Sequence, residues 1–300
     1  MKIIILGDCA MGTELRARGV EVPSHINSIW SALAIKEAPN EIEQIHLDYI
    51  KAGSEFITIN NYTVTRPILS RKNMENELEN LTMESIKLAR QAVEKSNKEE
   101  IKIVGALPPL ETSYRADLIP DEDEMNKQYS ELVDILKNEV DIIICETMAS
   151  TLEAKCALRA ALKANVPVWV SWTLHGDKED TLPSGESINQ AFEGLKGLDA
   201  DAYLINCCAA NLIRPSLKNL KELTDSPIGA YANAENINKE KLKSKAETAE
   251  ERHWESTIKI DEKSYLNEAK QWIEEGATIV AGCCRTRPSY IKELRAYLNN

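Results

Sequence analysis

The 300-residue chain is poor in aromatic residues and has no excess of positive charge. Phe, Trp and Tyr make up 5% of it, and 36 Lys and Arg stand against 48 Asp and Glu, a formal net charge of −12. That balance argues against the broad basic surface on which nucleic-acid binding depends, so nucleic acid is not expected as a partner. The hydrophobic content of 43% is enough to bury a continuous core, which excludes a disordered chain.

Signals for secretion and for membrane insertion are missing as well. The apolar start of the chain is too short for a signal peptide and ends at Asp8 instead of at a small-residue cleavage site. No run approaches the roughly 18 apolar residues that cross a bilayer. Seven cysteines, an odd number, do not suggest a disulfide scaffold in a chain of this length. We therefore predict a cytoplasmic protein with reduced thiols and no membrane partner. The oligomeric state stays open, a homo-oligomer included.

Within the chain, eight apolar runs alternate with helical patterns, and no GxGxxG or P-loop motif follows any of them. The runs are Ile3–Leu6, Phe56–Ile59, Ile101–Ala106, Asp141–Cys145, Val168–Trp172, Ala202–Ile205, Ile228–Tyr231 and Thr278–Ala281. Near-continuous runs are typical of parallel strands covered on both faces. Eight strand–helix repeats predict a single-domain (β/α)8 TIM barrel over residues 1–300, because that fold takes about 250 residues. A doubly wound open sheet is the alternative.

Residues 232–259 break this alternation after the seventh run. The segment is rich in Asn, Lys and Glu, with Trp254 near its end. Such charge-rich stretches are typically solvated loops or surface helices, and we predict one here. In a barrel the segment would follow a strand on the face that carries the active site, so a lid is the alternative role.

Four of the cysteines form two adjacent pairs, Cys207-Cys208 and Cys283-Cys284, directly after the sixth and eighth runs. The carboxyl ends of barrel strands lie on one face, so these sulfurs can converge. Converging thiolates in a reducing compartment suggest zinc, which at a catalytic site keeps its fourth position open. Neighbours on a strand point to opposite sides, so one of Cys207 and Cys208 faces away. The alternative is that all four are small buried apolar residues, as we expect for Cys156 within a helical pattern.

Several further motifs follow the predicted strands in order. They are Gly7-Asp8-Cys9-Ala10-Met11-Gly12-Thr13-Glu14-Leu15, Cys145-Glu146-Thr147, Leu182-Pro183-Ser184-Gly185-Glu186-Ser187, Asn206-Cys207 and Gly282-Cys283-Cys284-Arg285-Thr286-Arg287-Pro288. Together they resemble the homocysteine S-methyltransferase family, from end to end of the chain. The resemblance implies a (β/α)8 barrel with Zn²⁺ held by three cysteines at the matching positions Cys207, Cys283 and Cys284. Cys208 has no counterpart as a ligand.

The resemblance also implies the reaction, a methyl transfer to the thiol of homocysteine that forms methionine. A thiol bound to zinc loses its proton, and three thiolate ligands keep its sulfur electron-rich for an in-line attack on an activated methyl group. The chain ends at Asn300, without room for a cobalamin or folate domain, and is similar to standalone enzymes that use S-methylmethionine or S-adenosylmethionine. Betaine is a third donor class. All three donors are cations that Trp30, Trp172 or Trp254 can receive through cation–π contact.

The same resemblance assigns residues to the two charged groups of homocysteine. Asp8 and Glu146 match acidic positions that contact the substrate amine, although Asp8 has the alternative role of a helix cap. The backbone amides of Ala10, Met11 and Gly12 are expected to bind the carboxylate as an anion nest.

Three departures from the family pattern concern the pocket wall. The chain reads Ile59-Asn60-Asn61-Tyr62 where Thr-Asn-Thr-Tyr is common, and we expect Asn60 and Tyr62 at the rim, as substrate contacts or as plain turn residues. It reads Ala232-Asn233-Ala234-Glu235 where a Pro-Asn-Ala-Gly turn is common. Ala281 replaces a glycine before the Gly-Cys-Cys motif.

Two other functions remain open from the sequence. One is the same chemistry with another thiol or selenol as acceptor, such as selenohomocysteine. In a different class of function, the vicinal cysteines would serve a non-catalytic metal or redox sensor.

Overall fold

Each predicted apolar run forms a strand in the computed structural model, which describes residues 3–24, 28–176, 178–238 and 257–299. The strands, in chain order, are β1 Ile5–Leu6, β2 Phe56–Thr58, β3 Lys102–Leu107, β4 Ile142–Met148, β5 Val168–Trp172, β6 Ala202–Ala209, β7 Ile228–Asn233, β8 Glu235–Ile237, β9 Thr257–Lys259 and β10 Ile279–Gly282. All except β8 and β9 belong to one parallel sheet of eight strands in the order β1-β10-β7-β6-β5-β4-β3-β2.

The two outer strands of that order, β1 and β2, lie side by side. The N–H of Glu55 donates to the carbonyl of Leu6 at 2.7 Å, and the hydroxyl of Ser54 donates to the carbonyl of Gly7 at 3.0 Å. These bonds draw the sheet into a nearly closed barrel. The predicted (β/α)8 fold is therefore confirmed, and the alternative of an open sheet is wrong.

Helices cover the outside of the barrel. They span Gly12–Ala17, Ala32–Glu37, Pro39–Ala52, Arg66–Ser70, Leu78–Ser96, Glu122–Leu136, Thr151–Ala161, Ile188–Glu193, Ile213–Leu223, Glu262–Glu274 and Pro288–Leu298. The helix that begins at Leu78 ends at Ser96 because Asn97 takes a left-handed conformation, with φ +55°. Pro288 lies in the first turn of the last helix, where its missing N–H costs no bond. No helix in the described ranges is long and apolar enough to cross a membrane.

The barrel has two separate apolar cores because strand residues alternate between its faces. The inner one contains Phe56, Val104, Ala106, Ile142, Ile144, Trp169, Ala202, Leu204, Tyr231, Ile279 and Ala281. The larger one, the outer core, fills the space between sheet and helices. Phe56 and Trp169 meet edge to face inside the barrel, with ring centroids 5.2 Å apart. This contact requires glycine at position 7, because a Cβ there would lie 2.2 Å from the Phe56 ring.

The predicted excursion at residues 232–259 is more ordered at its ends than expected. Ala232 and Asn233 complete β7, and the short strands β8 and β9 pair antiparallel. Glu235, the first residue of β8, is fully buried. Both ends are therefore strands instead of the predicted loop or helix, and the first is buried, whereas Ile258 and Lys259 at the second are exposed as predicted. Residues 239–256, with Trp254, lie outside the described residues.

His46, on the helix Pro39–Ala52, provides a test of how this outer core resists acid. The side chain is fully buried, and neither ring nitrogen has a hydrogen-bond partner among the described residues. Burial lowers its pKa from 6.5 to about 3, since a charged imidazole there would lose its hydration.

Below pH 6.5, therefore, His46 binds a proton in the unfolded chain but stays neutral in the folded chain. As the pH falls from 6.5 to 3, we expect His46 to reduce the free energy of unfolding by up to about 1.4 kcal/mol for each pH unit. Urea unfolding at pH 7, 6 and 5 should show a shallower pH dependence for His46→Leu than for the wild type. Parallel pH dependences would contradict a neutral buried His46.

Candidate functional site

A cavity of about 450 Å³ lies at the carboxyl ends of the barrel strands, within the size range of small-molecule sites. Every residue predicted to bind the metal or homocysteine lines it, namely Asp8, Ala10, Met11, Gly12, Asn60, Tyr62, Glu146, Cys207, Cys283 and Cys284. The barrel explains this convergence, because it brings the ends of all eight strands to one face.

Three of the seven cysteines form a cluster in this cavity. The sulfurs of Cys207, Cys283 and Cys284 all lie within 4.8 Å of one another, and those of Cys207 and Cys284 are 3.9 Å apart. No disulfide joins the seven cysteines, all of which lie in described parts of the chain. Cys145, Cys156 and Cys208 are fully buried in the outer core, as the sequence predicts for Cys156.

An irregularity in β6 decides which of its two cysteines faces the cavity. Ala202 and Leu204 point into the barrel, so strict alternation would continue with Asn206 and Cys208. Cys207 instead adopts φ +53°, and the pairing of β6 with β7 shifts register between Asn206 and Ala209. The shift turns Cys207 into the cavity and leaves Cys208 in the outer core.

A tight turn after β10 brings both sulfurs of the second pair to the cluster. The N–H of Cys283 donates to the carbonyl of Ala232 at 2.8 Å, and the N–H of Cys284 donates to the side-chain oxygen of Asn233 at 3.0 Å. Arg285 then takes φ +67°, which reverses the chain. Bonds to the end of β7 therefore fix the orientation of this turn.

The spacing of the three sulfurs fits a tetrahedral zinc ion. With Zn–S bonds of about 2.3 Å, two thiolate ligands lie about 3.8 Å apart, close to the 3.9 Å between Cys207 and Cys284. The neighbouring Cys207 and Cys284 thiols, together with burial, raise the pKa of Cys283. A metal cation can bind to such closely spaced thiols by displacing their protons.

Two carboxyl groups, Asp8 and Glu146, line the same cavity. Asp8 accepts hydrogen bonds from the backbone N–H of Thr58 at 2.9 Å and from its hydroxyl at 3.4 Å. Burial raises the pKa of Asp8 well above its usual value, and the charge of Glu146 adds to the shift. Burial likewise raises the pKa of Glu146 to about 7, against the opposing effect of the Tyr231 hydroxyl. A cationic ligand beside them would favour the ionised form of both carboxyl groups.

The first helix, Gly12–Ala17, shows whether Asp8 is a helix cap and what Glu14 contacts. The helix has Met11 at its N-cap with no side-chain cap, so Asp8 does not cap it. Glu14 is almost fully buried and pairs with Arg18 at 2.9 Å and Arg287 at 2.7 Å, which makes its role structural.

The polar residues after β2 are more engaged than the sequence suggests. The side chain of Asn60 bonds Ser31 twice, through its oxygen at 2.7 Å and its nitrogen at 3.0 Å. The Tyr62 hydroxyl lies 2.7 Å from that of Ser113. Any contact of Asn60 with a substrate would compete with its bonds to Ser31, so its visible role is to hold the Ser31 loop.

Sequence reasoning missed two tyrosines of the cavity. The Tyr114 hydroxyl lies 3.0 Å from both the sulfur and the carbonyl of Cys207. Tyr231 lies within β7, in the inner core, close to Glu146. Tyr231 was predictable in principle, since it is the last residue of the predicted run Ile228–Tyr231. Tyr114 lies in an irregular loop with φ +65°, for which the sequence carries no signal.

Trp30 and Trp172 are the tryptophans considered for donor binding that lie in the described ranges, and of these two Trp30 lines the cavity. The guanidinium of Arg16 lies 4.3 Å from the centroid of its ring. Trp172 is fully buried and stacks on Tyr203 at 6.0 Å, so the expectation of a donor contact there is wrong.

The motif Leu182–Ser187 supports the fold from outside the cavity lining. Ser187 and Gln190 form a capping box on the helix Ile188–Glu193, and Glu186 accepts from the N–H of Thr151 at 2.9 Å. The motif therefore fixes the starts of two helices.

Comparison with known proteins agrees with this geometry. A family model described as homocysteine S-methyltransferase matches residues 5–298. A homocysteine S-methyltransferase of Escherichia coli (strain K12) is 29% identical over 309 residues, which cover 98% of this chain and 94% of that protein. Homocysteine S-methyltransferase 3 of Zea mays is 26% identical over 319 residues, covering 97% and 89%. The crystal structure of the homocysteine methyltransferase MmuM from Escherichia coli, metallated form, superimposes with a TM-score of 0.80 at 25% identity, covering 98% of this chain and 96% of that one.

Proposed function

Because the chain belongs to the homocysteine S-methyltransferase family, we propose that it methylates the thiol of homocysteine with zinc as its metal and S-methylmethionine or S-adenosylmethionine as donor. The observation that carries the proposal is the cluster of three cysteine sulfurs within 4.8 Å, in a cavity that also holds two buried carboxyl groups. Thiolates are soft ligands suited to zinc, and carboxylates suit an ammonium. We extend the proposal to residues 1–300 as one homocysteine-binding domain in the cytoplasm, where thiols stay reduced.

Cys207, Cys283 and Cys284 would hold the ion. Zinc bound by three thiolates would accept the substrate thiol at its open position and keep that sulfur nucleophilic at neutral pH. Cys207 reaches the cluster through its left-handed backbone. The hydroxyl of Tyr114 donates to the Cys207 carbonyl at 3.0 Å and so holds this peptide.

Asp8 and Glu146 would bind the ammonium group of homocysteine. The carboxyl group of Asp8 is held in place before substrate arrives, by the two bonds from Thr58. The backbone of Ala10, Met11 and Gly12 lines the cavity beside Asp8, where its amides would bind the substrate carboxylate. Holding both charged groups fixes the position of the thiol and so contributes to the rate.

The donor would enter as a cation into a cavity lined by acids and by Trp30. The carboxyl groups favour positive charge, and an aromatic ring binds sulfonium or quaternary ammonium groups through its π face. Since Arg16 lies over the Trp30 ring, the donor would contact the part of the ring that Arg16 leaves accessible.

The test is a donor panel on purified, reduced protein. We expect about one zinc per chain, and methionine formed from homocysteine with S-methylmethionine, more slowly with S-adenosylmethionine. If betaine were the single donor that supports turnover, the proposed donor would be wrong. If selenohomocysteine were the single acceptor that is methylated, the proposed acceptor would be wrong. Bound zinc without turnover in any combination would contradict the transferase and favour a metal sensor.

The raised pKa of Glu146 predicts a pH dependence of amino-acid binding. Below its pKa of about 7 the empty site carries a neutral carboxyl group, which must lose its proton before it can pair with an ammonium. The product methionine has no thiol to titrate, so its inhibition constant isolates this effect. We expect that constant to fall by about fivefold as the pH rises from 6 to 7, by about tenfold from pH 6 to 8, and to level off above pH 8. Methionine inhibition that is independent of pH in this range would contradict the assignment of Glu146.

A further inference from the structure

Two backbone irregularities lie on either side of β5, on the strands that carry Glu146 and Cys207. Thr147, directly after Glu146, has φ +61°, and Cys207 has φ +53°. The register shifts at both places, between Cys145 and Met148 in β4 and between Asn206 and Ala209 in β6. A left-handed backbone is costly for a residue other than glycine, and most of all for a β-branched one such as Thr147. Bonds from the surrounding structure must therefore hold these conformations.

The side chain of Asn206 makes such bonds. Its oxygen accepts from the backbone N–H of Thr147 at 3.1 Å and from the hydroxyl of Ser171 at 2.7 Å. Its nitrogen donates to the Thr147 hydroxyl at 2.7 Å. Asn206 is fully buried, and its three bonds connect β6 to β4 across the intervening strand β5.

We propose that Asn206 is a positioning residue that holds two functional elements in register, the carboxyl group of Glu146 on β4 and the sulfur of Cys207 on β6. It is the residue directly before Cys207, and its amide bonds both backbone and side chain of the residue directly after Glu146. Without the amide, the two strands lose the bonds that maintain their bulges. A relaxed β6 would return to strict alternation, which directs Cys208 inward and Cys207 outward.

The proposal rests on the proposed function, because it assigns Asn206 a role toward the metal and the amino acid together. It predicts that one substitution weakens both ligands at once. A residue with a merely structural role would lower stability without a common effect on two binding sites.

The experiment compares Asn206→Ala with Asn61→Ala. Asn61 is also fully buried, and its amide likewise makes two bonds, both to the backbone of Ala106 on β3. The three measurements are the zinc dissociation constant by chelator competition, the methionine dissociation constant by calorimetry, and thermal unfolding of the metal-free chains. We expect Asn206→Ala to weaken zinc and methionine binding at least tenfold each, as is usual for residues that orient metal ligands. Asn61→Ala should lower the unfolding temperature similarly and change both constants less than threefold.

A milder variant keeps the test decisive if Asn206→Ala does not fold. Ser171→Ala removes the bond from the Ser171 hydroxyl to Asn206, together with the effect of that hydroxyl on Tyr231, and we expect it to weaken zinc and methionine binding together by a few-fold. Equal binding constants in wild type, Asn206→Ala and Ser171→Ala would overturn the positioning role while leaving the proposed function intact. A wild-type chain that binds no zinc would overturn both.

Discussion

Replacing Cys283 with alanine is expected to remove the metal and to abolish methyl transfer. The substitution leaves two of the three clustered sulfurs, too few to hold zinc as a catalytic site does. Loss of the metal's activation of the thiol is worth several kcal/mol, so we expect the rate to fall at least about a thousandfold. Cys283 lies in the turn after β10 and is a partly buried residue packed against the inner core, so the barrel should stay folded without its sulfur. Zinc content by mass spectrometry, steady-state kinetics and circular dichroism would measure the three effects.

Cys208→Ala is the matched control, because Cys208 lies next to Cys207 in sequence and points into the outer core. Its loss leaves a small cavity that costs about 1 kcal/mol of stability and should leave zinc content and rate unchanged. Equal damage from the two substitutions would show that Cys208 is a ligand and that β6 does not carry the bulge at Cys207.

Replacing Glu146 with glutamine should raise the KM for homocysteine by about a hundredfold. The amide keeps the shape of the carboxyl group but cannot neutralise the substrate ammonium, and truncating one partner of a buried charge pair costs about 2–5 kcal/mol. Asp8→Asn should act in the same direction. The number of zinc ions per chain should not change, because neither carboxyl group belongs to the sulfur cluster.

Glu153→Gln serves as the control for this prediction. Glu153 is also buried, and burial raises its pKa to about 7 as it does for Glu146. Its carboxylate, however, accepts from the N–H of Ala149 at 2.9 Å and supports the start of a helix, outside the cavity lining. We expect an unchanged KM for Glu153→Gln. A rise in KM as large as that of Glu146→Gln would mean that loss of a buried carboxyl group, and not loss of the ammonium partner, explains the effect.

The sequence predicts the barrel well because the signal for a buried parallel strand is strong and local. Val168–Trp172 is apolar at every position except Ser171 and has the same bounds in the structure. The ends of strands are harder to predict. The run predicted as Ala202–Ile205 continues to Ala209 in the structure. Asn206 pairs with Tyr231 and, beyond the register shift at the two cysteines, Ala209 pairs with Asn233.

The site is predicted as a set of residues but not as a geometry. Motifs at strand ends identify Asp8, Glu146 and the cysteines, and the barrel explains why they meet. The choice between Cys207 and Cys208 came from family resemblance alone, because strict alternation favours Cys208 and nothing in the sequence encodes a positive φ. That conformation depends on long-range bonds from Tyr114 and Thr173 to the Cys207 carbonyl.

The departure at Glu235 shows a second limit of sequence reasoning. An acid in a charge-rich segment reads as a solvated residue, yet Glu235 is fully buried. It pairs with Arg285, directly after Cys284, and accepts from the side-chain nitrogen of Asn233 at 3.0 Å. Its partner Arg285 lies 50 residues away in sequence, so no local sequence pattern predicts the pair.

X-ray absorption at the zinc edge tests the central claim most directly, by counting sulfur neighbours of the metal with and without homocysteine. If Cys207, Cys283 and Cys284 hold zinc and leave one position to the substrate, the count should be three sulfurs without homocysteine and four with it. Four sulfurs before homocysteine is added, or three after it, would contradict the account.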